Sequence, residues 1–178
     1  MKITNTLLAV AVVAIVACVP ATTHAYYTTG QTAVKLDDHN ALFIIEYTFS
    51  NLTNDLYMPT VSKRASASVS IDEKVAYTLT NKDKSVQTEG TALGAVLSGA
   101  PIVNGMYKID KGTAHKLWLA VVVTTPDSSK ETNYALQVTQ LPYYLDEGKN
   151  GLLPLHLNPS ELQYYVTKGI TLNGTKVK

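Results

Sequence analysis

Apolar and polar residues alternate over several short stretches of this chain. The clearest stretch is residues 41–50, in which Phe43, Ile45, Tyr47 and Phe49 occupy every second position. Successive side chains of a β-strand point to opposite faces, so this period of two predicts a strand with one buried face. β-Branched residues and tyrosines dominate the other stretches, and turn residues separate them, which is typical of an all-β sandwich or barrel.

Some of these stretches follow one another closely enough along the chain to predict β-hairpins. The predicted pairs are 65–71 with 75–79, 105–109 with 113–125, and 162–167 with 170–172, the last turning at Lys168 and Gly169. Gly112 lies in the second turn, where a left-handed backbone conformation suits glycine. Before these pairs, the pattern predicts a mobile start over residues 26–30 and a short strand over residues 33–36.

Residues 117–123 differ from the alternating stretches because they are apolar at nearly every position. A strand that is covered on both faces has this pattern. We therefore predict that residues 117–123 form the central buried strand of the sheet system.

Residues 91–100 break the strand pattern, since they are small, apolar and contain glycine. Two interpretations remain open: one short helical turn near 91–99, capped by Thr91, or a mobile apolar loop. An apolar segment outside regular elements either folds over the end of the sandwich or contacts a partner. The candidate interface residues in and beside this segment are Thr91, Leu93, Val96, Leu97 and Ile102.

The first 25 residues have the organisation of a signal peptide. Lys2 provides a positive start, residues 7–17 are apolar, and Thr23 and Ala25 are small residues at the −3 and −1 positions of a cleavage site. The apolar run is shorter than the ~18–20 residues of a membrane-spanning helix. We predict cleavage after Ala25 and a single β-sandwich domain over residues 26–178.

A lipoprotein signal is the alternative interpretation of the same segment. Residues 15–18 resemble a bacterial lipoprotein box, whose cysteine becomes the lipidated first residue. Cys18 is the only cysteine of the chain, so lipidation there would end the signal at residue 17. Either interpretation predicts an exported protein, in the periplasm, at the cell surface or secreted, and the second adds a lipid anchor. The exported domain has no cysteine for an internal disulfide.

Charge and composition exclude few functions but do exclude disorder. Hydrophobic residues make up 46% of the chain, while 15 Lys and Arg residues face 14 Asp and Glu residues. A nearly neutral chain has no overall attraction for nucleic acid or for an anionic membrane. We therefore expect no nucleic-acid partner, and a membrane contact only through a lipid at Cys18.

Candidate catalytic and metal-binding residues are sparse. His39, His115 and His156 are the histidines beyond the leader, and no serine lies in a Gly-x-Ser-x-Gly motif. Residues 37–40 gather acidic, histidine and asparagine side chains, but their spacing matches no zinc motif and is typical of a turn. We predict no enzyme activity, no metal and no cofactor, with a secreted hydrolase as the least favoured alternative.

The tyrosines suggest a second kind of function. Neighbouring tyrosines would provide stacking faces for a glycan or another small ligand, although adjacent strand residues normally face opposite sides. The candidate ligand platform consists of Tyr143, Tyr144, Tyr164 and Tyr165.

A strand that ends in asparagine at residues 43–51 precedes a glycine-containing stretch at 107–112 and the apolar stretch at 117–123. This arrangement resembles bacterial immunoglobulin-like extracellular domains. The resemblance implies an immunoglobulin-like antiparallel β-sandwich.

The function we predict is that of an exported, non-catalytic interaction or structural protein, with protein partners in the envelope or the extracellular space. A glycan- or ligand-binding module is the alternative.

Overall fold

A computed structural model describes the backbone of residues 26–65, 73–126, 130–145 and 166–174, and side chains from Gly30 onwards. These residues form eleven β-strands and no helix. The strands are β1 (Tyr26–Lys35), β2 (Asn40–Ser50), β3 (Leu56–Pro59), β4 (Ser62–Arg64), β5 (Val75–Thr80), β6 (Thr91–Ser98), β7 (Ile102–Val103), β8 (Met106–Ile109), β9 (His115–Thr124), β10 (Thr132–Gln140) and β11 (Ile170–Leu172).

The first sheet has the order β1-β2-β9-β6, and all of its neighbouring strands are antiparallel. Along β2, buried and half-buried residues alternate without interruption. Phe43, Ile45 and Tyr47 are completely buried, as their period of two predicts. Strand β9 lies between β2 and β6, which confirms that residues 117–123 form a central strand. The predicted burial on both faces was wrong, because Val122 on the other face is 38% exposed.

The second sheet has the order β11-β10-β5-β4, and a third, smaller sheet has the order β3-β8-β7. Strands β4 and β5 are parallel, whereas the other pairs in these two sheets are antiparallel. One hydrophobic cluster joins the sheets, since it contains Phe43 of β2, Leu119 of β9, Leu79 of β5, Leu136 of β10 and Ile109 of β8. The all-β, sandwich-like architecture predicted from the sequence is therefore confirmed.

Residues 91–98 form neither a helical turn nor a loop, so both interpretations of this segment were wrong. They form strand β6, which pairs with β9 along its whole length. A Cβ atom at Gly94 would lie only 2.7 Å from Ser62 Oγ and from a ring carbon of Tyr77. The small residues that argued against a strand are thus explained by the close approach of the second sheet to the inner face of β6.

The predicted hairpin of residues 105–109 with 113–125 was also wrong. Strand β8 pairs with β3 and β7, whereas β9 pairs with β2 and β6, so the turn between them joins two different sheets. Gly112 in this turn has a φ of 74°, which is the left-handed conformation expected for it. Local sequence predicted the turn correctly but not the partners of its strands.

The beginning and the end of the described chain also differ from the prediction. Residues 26–30 belong to the ten-residue strand β1 and are not a separate mobile start. Val166 and strand β11 both pair with β10, so the chain does not reverse at Lys168 and Gly169. Residues 66–72, which complete the first predicted hairpin, lie outside the described residues.

Candidate interaction surface

The outer face of the first sheet is largely apolar. We use this name for the side chains of β1, β2, β9 and β6 that point away from the shared core. The strand registers arrange them in rows across the sheet, and three consecutive rows are mainly apolar. The first row is Val34, Leu42, Val122 and Leu93; the second is Thr32, Ile44, Ala120 and Ala95; the third is Gly30, Glu46, Trp118 and Leu97.

Several of the large apolar side chains on the outer face are exposed to solvent. Leu93 is 80% exposed and Leu97 is 50% exposed, while Val34 and Val122 have exposures of 43% and 38%. A contiguous apolar patch on a protein surface marks a site of association more often than single exposed residues do. The outer face is thus the best candidate for an interaction surface among the described residues.

The structure separates the five interface candidates that were selected from the sequence. Thr91, Leu93 and Leu97 lie on the outer face, at alternate positions of the edge strand β6. Val96 points the other way and is only 4% exposed, so it belongs to the core. Ile102 is 61% exposed but lies on β7 of the third sheet.

Sequence reasoning missed the part of this surface that β2 and β9 contribute. Leu42, Ile44, Ala120 and Val122 are half-buried or exposed side chains of the outer face. The signal was present in the two-sided apolar character of residues 117–123, which we interpreted as burial on both faces. An apolar face left open to solvent gives the same sequence pattern.

The only charged side chain in the three rows is Glu46. Lys116 Nζ lies 2.9 Å from Glu46 Oε1, and Trp118 Nε1 donates a 2.6 Å hydrogen bond to Glu46 Oε2. The ion pair with Lys116 and the bond from Trp118 lower the pKa of Glu46 from its ordinary value of 4.5, against a smaller opposing effect of burial. The carboxylate therefore already has partners within the sheet.

Trp118 is the single tryptophan of the chain and should report the protonation of Glu46. We expect its fluorescence to titrate with a midpoint below 4.5, because the pKa of Glu46 is lowered. A lowered folded-state pKa adds stability that is complete above the unfolded-state pKa and is lost as the pH falls through the folded-state value. A fluorescence titration of the wild type and of Glu46→Gln measures the midpoint of the transition, and the substitution should abolish that transition.

Glu131→Gln is the matched control for this titration, since Glu131 is an exposed carboxylate next to β10. It should leave the fluorescence transition unchanged. A transition that persists in Glu46→Gln, or a midpoint above 4.5, would contradict the assigned contact between Glu46 and Trp118.

The candidate tyrosine platform is only partly within the described residues. Tyr144 is 3% exposed and packs with Tyr57 and Met106 in a small second cluster. Tyr143 is half-buried, and Tyr164 and Tyr165 lie outside the described residues. Tyr144 exchanges two backbone hydrogen bonds with Tyr57, so it extends the third sheet. Its ring does not face solvent because the side chain is buried.

His39 and a serine at the end of β6, Ser98, have hydrogen bonds to backbone groups, and His115 lies near an acidic side chain. His39 Nδ1 donates to the carbonyl of Asn173 at 2.7 Å, and His115 Nε2 lies 4.0 Å from Asp110 Oδ2. Ser98 Oγ donates to the carbonyl of Lys116 and accepts from the amide of Ala100. Both contacts of Ser98 are with backbone groups, which is how a serine stabilises a strand end. His156 lies outside the described residues.

The acidic segment at residues 37–40 is organised as a turn. Asp37 Oδ1 accepts hydrogen bonds from the backbone amides of His39 and Asn40, and Asp38 forms an ion pair with Lys35. The hydrogen bonds from Asn40 and His39 lower the pKa of Asp37. Over the described ranges, no three His, Cys, Asp or Glu side chains are grouped so that they could hold a metal ion.

Residues 1–25 lie outside the described part of the chain, and so does Cys18. The export and lipidation predictions therefore stay predictions. In the part that the structure describes, no helix is long and apolar enough to cross a membrane.

Comparisons with known proteins identify no relative of this chain. The chain matches no protein-family model, no curated protein and no solved structure.

Proposed function

We propose that this protein is an exported, non-catalytic interaction protein that binds a protein partner through the outer face. The observation that supports the proposal is the exposed apolar side of the first sheet, in which Leu93 and Leu97 stand on the edge strand. Burial of apolar area is the main driving force of protein association. The rows of this face offer such area without an unpaired charge at their centre.

The shape of the outer face favours a protein partner over a small molecule. Small-molecule sites are concave and bury most of their ligand. A four-stranded sheet instead presents a broad surface with little depth, which suits a partner that is itself broad. Ala95 and Ala120 in the middle row allow such a partner to approach closely.

Export and the immunoglobulin-like class are part of the same proposal. Two four-stranded sheets that share one core support an immunoglobulin-like sandwich, and the arrangement of residues 1–25 supports export. The intact mass of the protein recovered from its host distinguishes cleavage after Ala25 from a lipid on Cys18.

Chemical labelling in the native host tests the proposed surface. Cys18 is the only native cysteine, so a new cysteine can be followed against a constant background. We expect Leu93→Cys to react with a maleimide in the purified, dilute protein but to be protected at least several-fold in intact cells, because a partner covers the outer face. Mass spectrometry of the labelled peptide measures the protection.

Thr113→Cys is the control for this experiment, since Thr113 is an exposed residue in the turn between β8 and β9. It should react equally in cells and in the purified protein. Equal labelling of Leu93→Cys and Thr113→Cys in cells would refute the proposed function.

A further inference from the structure

We propose that the partner of the outer face is a second copy of this chain, packed face to face about a two-fold axis. This inference rests on the proposed function and adds the identity of the occupant. Three properties of the outer face support it: its relief, meaning the ridges and troughs that its side chains form, its charge and its area.

The relief is clearest over β9 and β6. Leu93 and Val122 form a ridge in the first row, and Leu97 and Trp118 form another in the third row. Between the ridges, the second row has only Ala95 and Ala120 on these two strands, so it forms a trough. Rows on one face of a strand are ~6.8 Å apart, which is two residue rises.

A two-fold axis parallel to the rows, between the first and the second row, makes this relief self-complementary. The axis places β6 of one copy over β6 of the other in the opposite direction. Leu93 of each copy then faces Ala95 of the other, and the ridge at Val122 faces the trough at Ala120. A two-fold interface repeats each such contact, because the same patch serves both copies.

The charge distribution permits this contact. Glu46 is the one charged side chain of the three rows, and Lys116 and Trp118 neutralise and hydrogen-bond it within the same copy. Covering an unpaired charge would oppose association strongly, but here the charge is already paired. The chain as a whole has a formal charge of +1, so two copies hardly repel one another.

The available area is sufficient for a weak dimer. The axis also places the row of Asn40, Thr124 and Thr91 opposite the third row, so four rows take part. Four strands at ~4.8 Å spacing and four rows at ~6.8 Å spacing give a face of roughly 500 Å². Two copies would bury roughly 1,000 Å², which is near the lower limit for a specific interface. We therefore expect the dimer to dissociate in the micromolar range.

Sedimentation of the protein in the form that its host accumulates tests the inference. Between about 1 µM and 1 mM we expect the mass to rise from that of one chain to that of two and no further. Leu93→Asp should weaken the dimer at least about 100-fold, because each copy would bury a carboxylate against an apolar trough. Ile102→Asp is the matched control, since Ile102 is an exposed aliphatic residue of the third sheet, and it should leave the dimer unchanged.

Ala95→Leu separates a shaped interface from general stickiness. This variant adds apolar surface but fills the trough, so we expect it to weaken the dimer about 10-fold or more. Tighter association of Ala95→Leu, growth beyond two copies, or a wild type that stays monomeric up to 1 mM would overturn the inference. A monomeric wild type whose Leu93→Cys variant is still protected in cells would leave the proposed function intact and refute only the second copy.

Discussion

Ile45→Ala is expected to lower the free energy of unfolding by about 2–5 kcal/mol, because it leaves a cavity in the core. Ile45 is completely buried, and its side chain belongs to the cluster that joins the sheets. Its neighbours across the sheet are Leu119 on β9 and Gln31 on β1. Urea denaturation, followed by circular dichroism, measures the change.

Ile44→Ala is the matched control because the residue type, the strand and the substitution are the same. Ile44 points to the outer face and is only half-buried, so we expect a loss of about 1 kcal/mol or less. The measurement is made at a concentration below that at which copies associate. Similar losses for the two variants would show that β2 does not have the orientation described.

Gly90→Ala is expected to destabilise the fold by about 3 kcal/mol, through backbone strain and steric overlap together. Gly90 has a φ of 82°, and a Cβ atom there would lie 2.8 Å from the carbonyl oxygen of Thr124 and from Tyr134 Oη. The carbonyl of Gly90 also accepts a 2.7 Å hydrogen bond from Arg64. Gly90 directly precedes β6 and lies close to both β9 of the first sheet and β10 of the second sheet.

Gly112→Ala separates the two causes. Gly112 has a similar φ of 74°, but an added Cβ would meet no atom within 4 Å. We expect a loss of about 1 kcal/mol from the left-handed conformation alone. Thermal unfolding of both variants gives the difference, and equal losses would show that the close approach at Gly90 costs nothing.

The strands whose one face is buried were predictable from the sequence. Phe43, Ile45 and Tyr47 share a face because successive side chains of a strand alternate, and this geometry needs no knowledge of the partner strands. The turn at Gly112 was predictable for a similar reason, since its backbone conformation is a local property.

The pairing of the strands was not predictable in the same way. Residues 105–109 and 113–125 have the local pattern of a hairpin, yet β8 and β9 belong to different sheets. Which strand pairs with which depends on contacts that are distant in sequence, such as those of β9 with β2 and β6. Segment 91–98 shows the same effect, because β9 provides the hydrogen-bonding partner that turns small residues into an edge strand.

The candidate surface was predicted in part. Exposed apolar residues at 93 and 97 were selected from the sequence, but Val96 was included although it belongs to the core. Once the segment is a strand, alternation alone assigns Val96 to the opposite face. The contribution of Leu42 and Val122 required the register of four strands.

By itself, the sequence determined that this protein is built from strands and that the faces of β2 differ, because alternation is a property of each strand. The tertiary structure decided which apolar residues are covered. Leu119 and Val122 lie on the same strand, and both are apolar, yet the second sheet covers one and leaves the other at the surface. Burial depends on what packs against a side chain, and that is fixed only when distant strands come together.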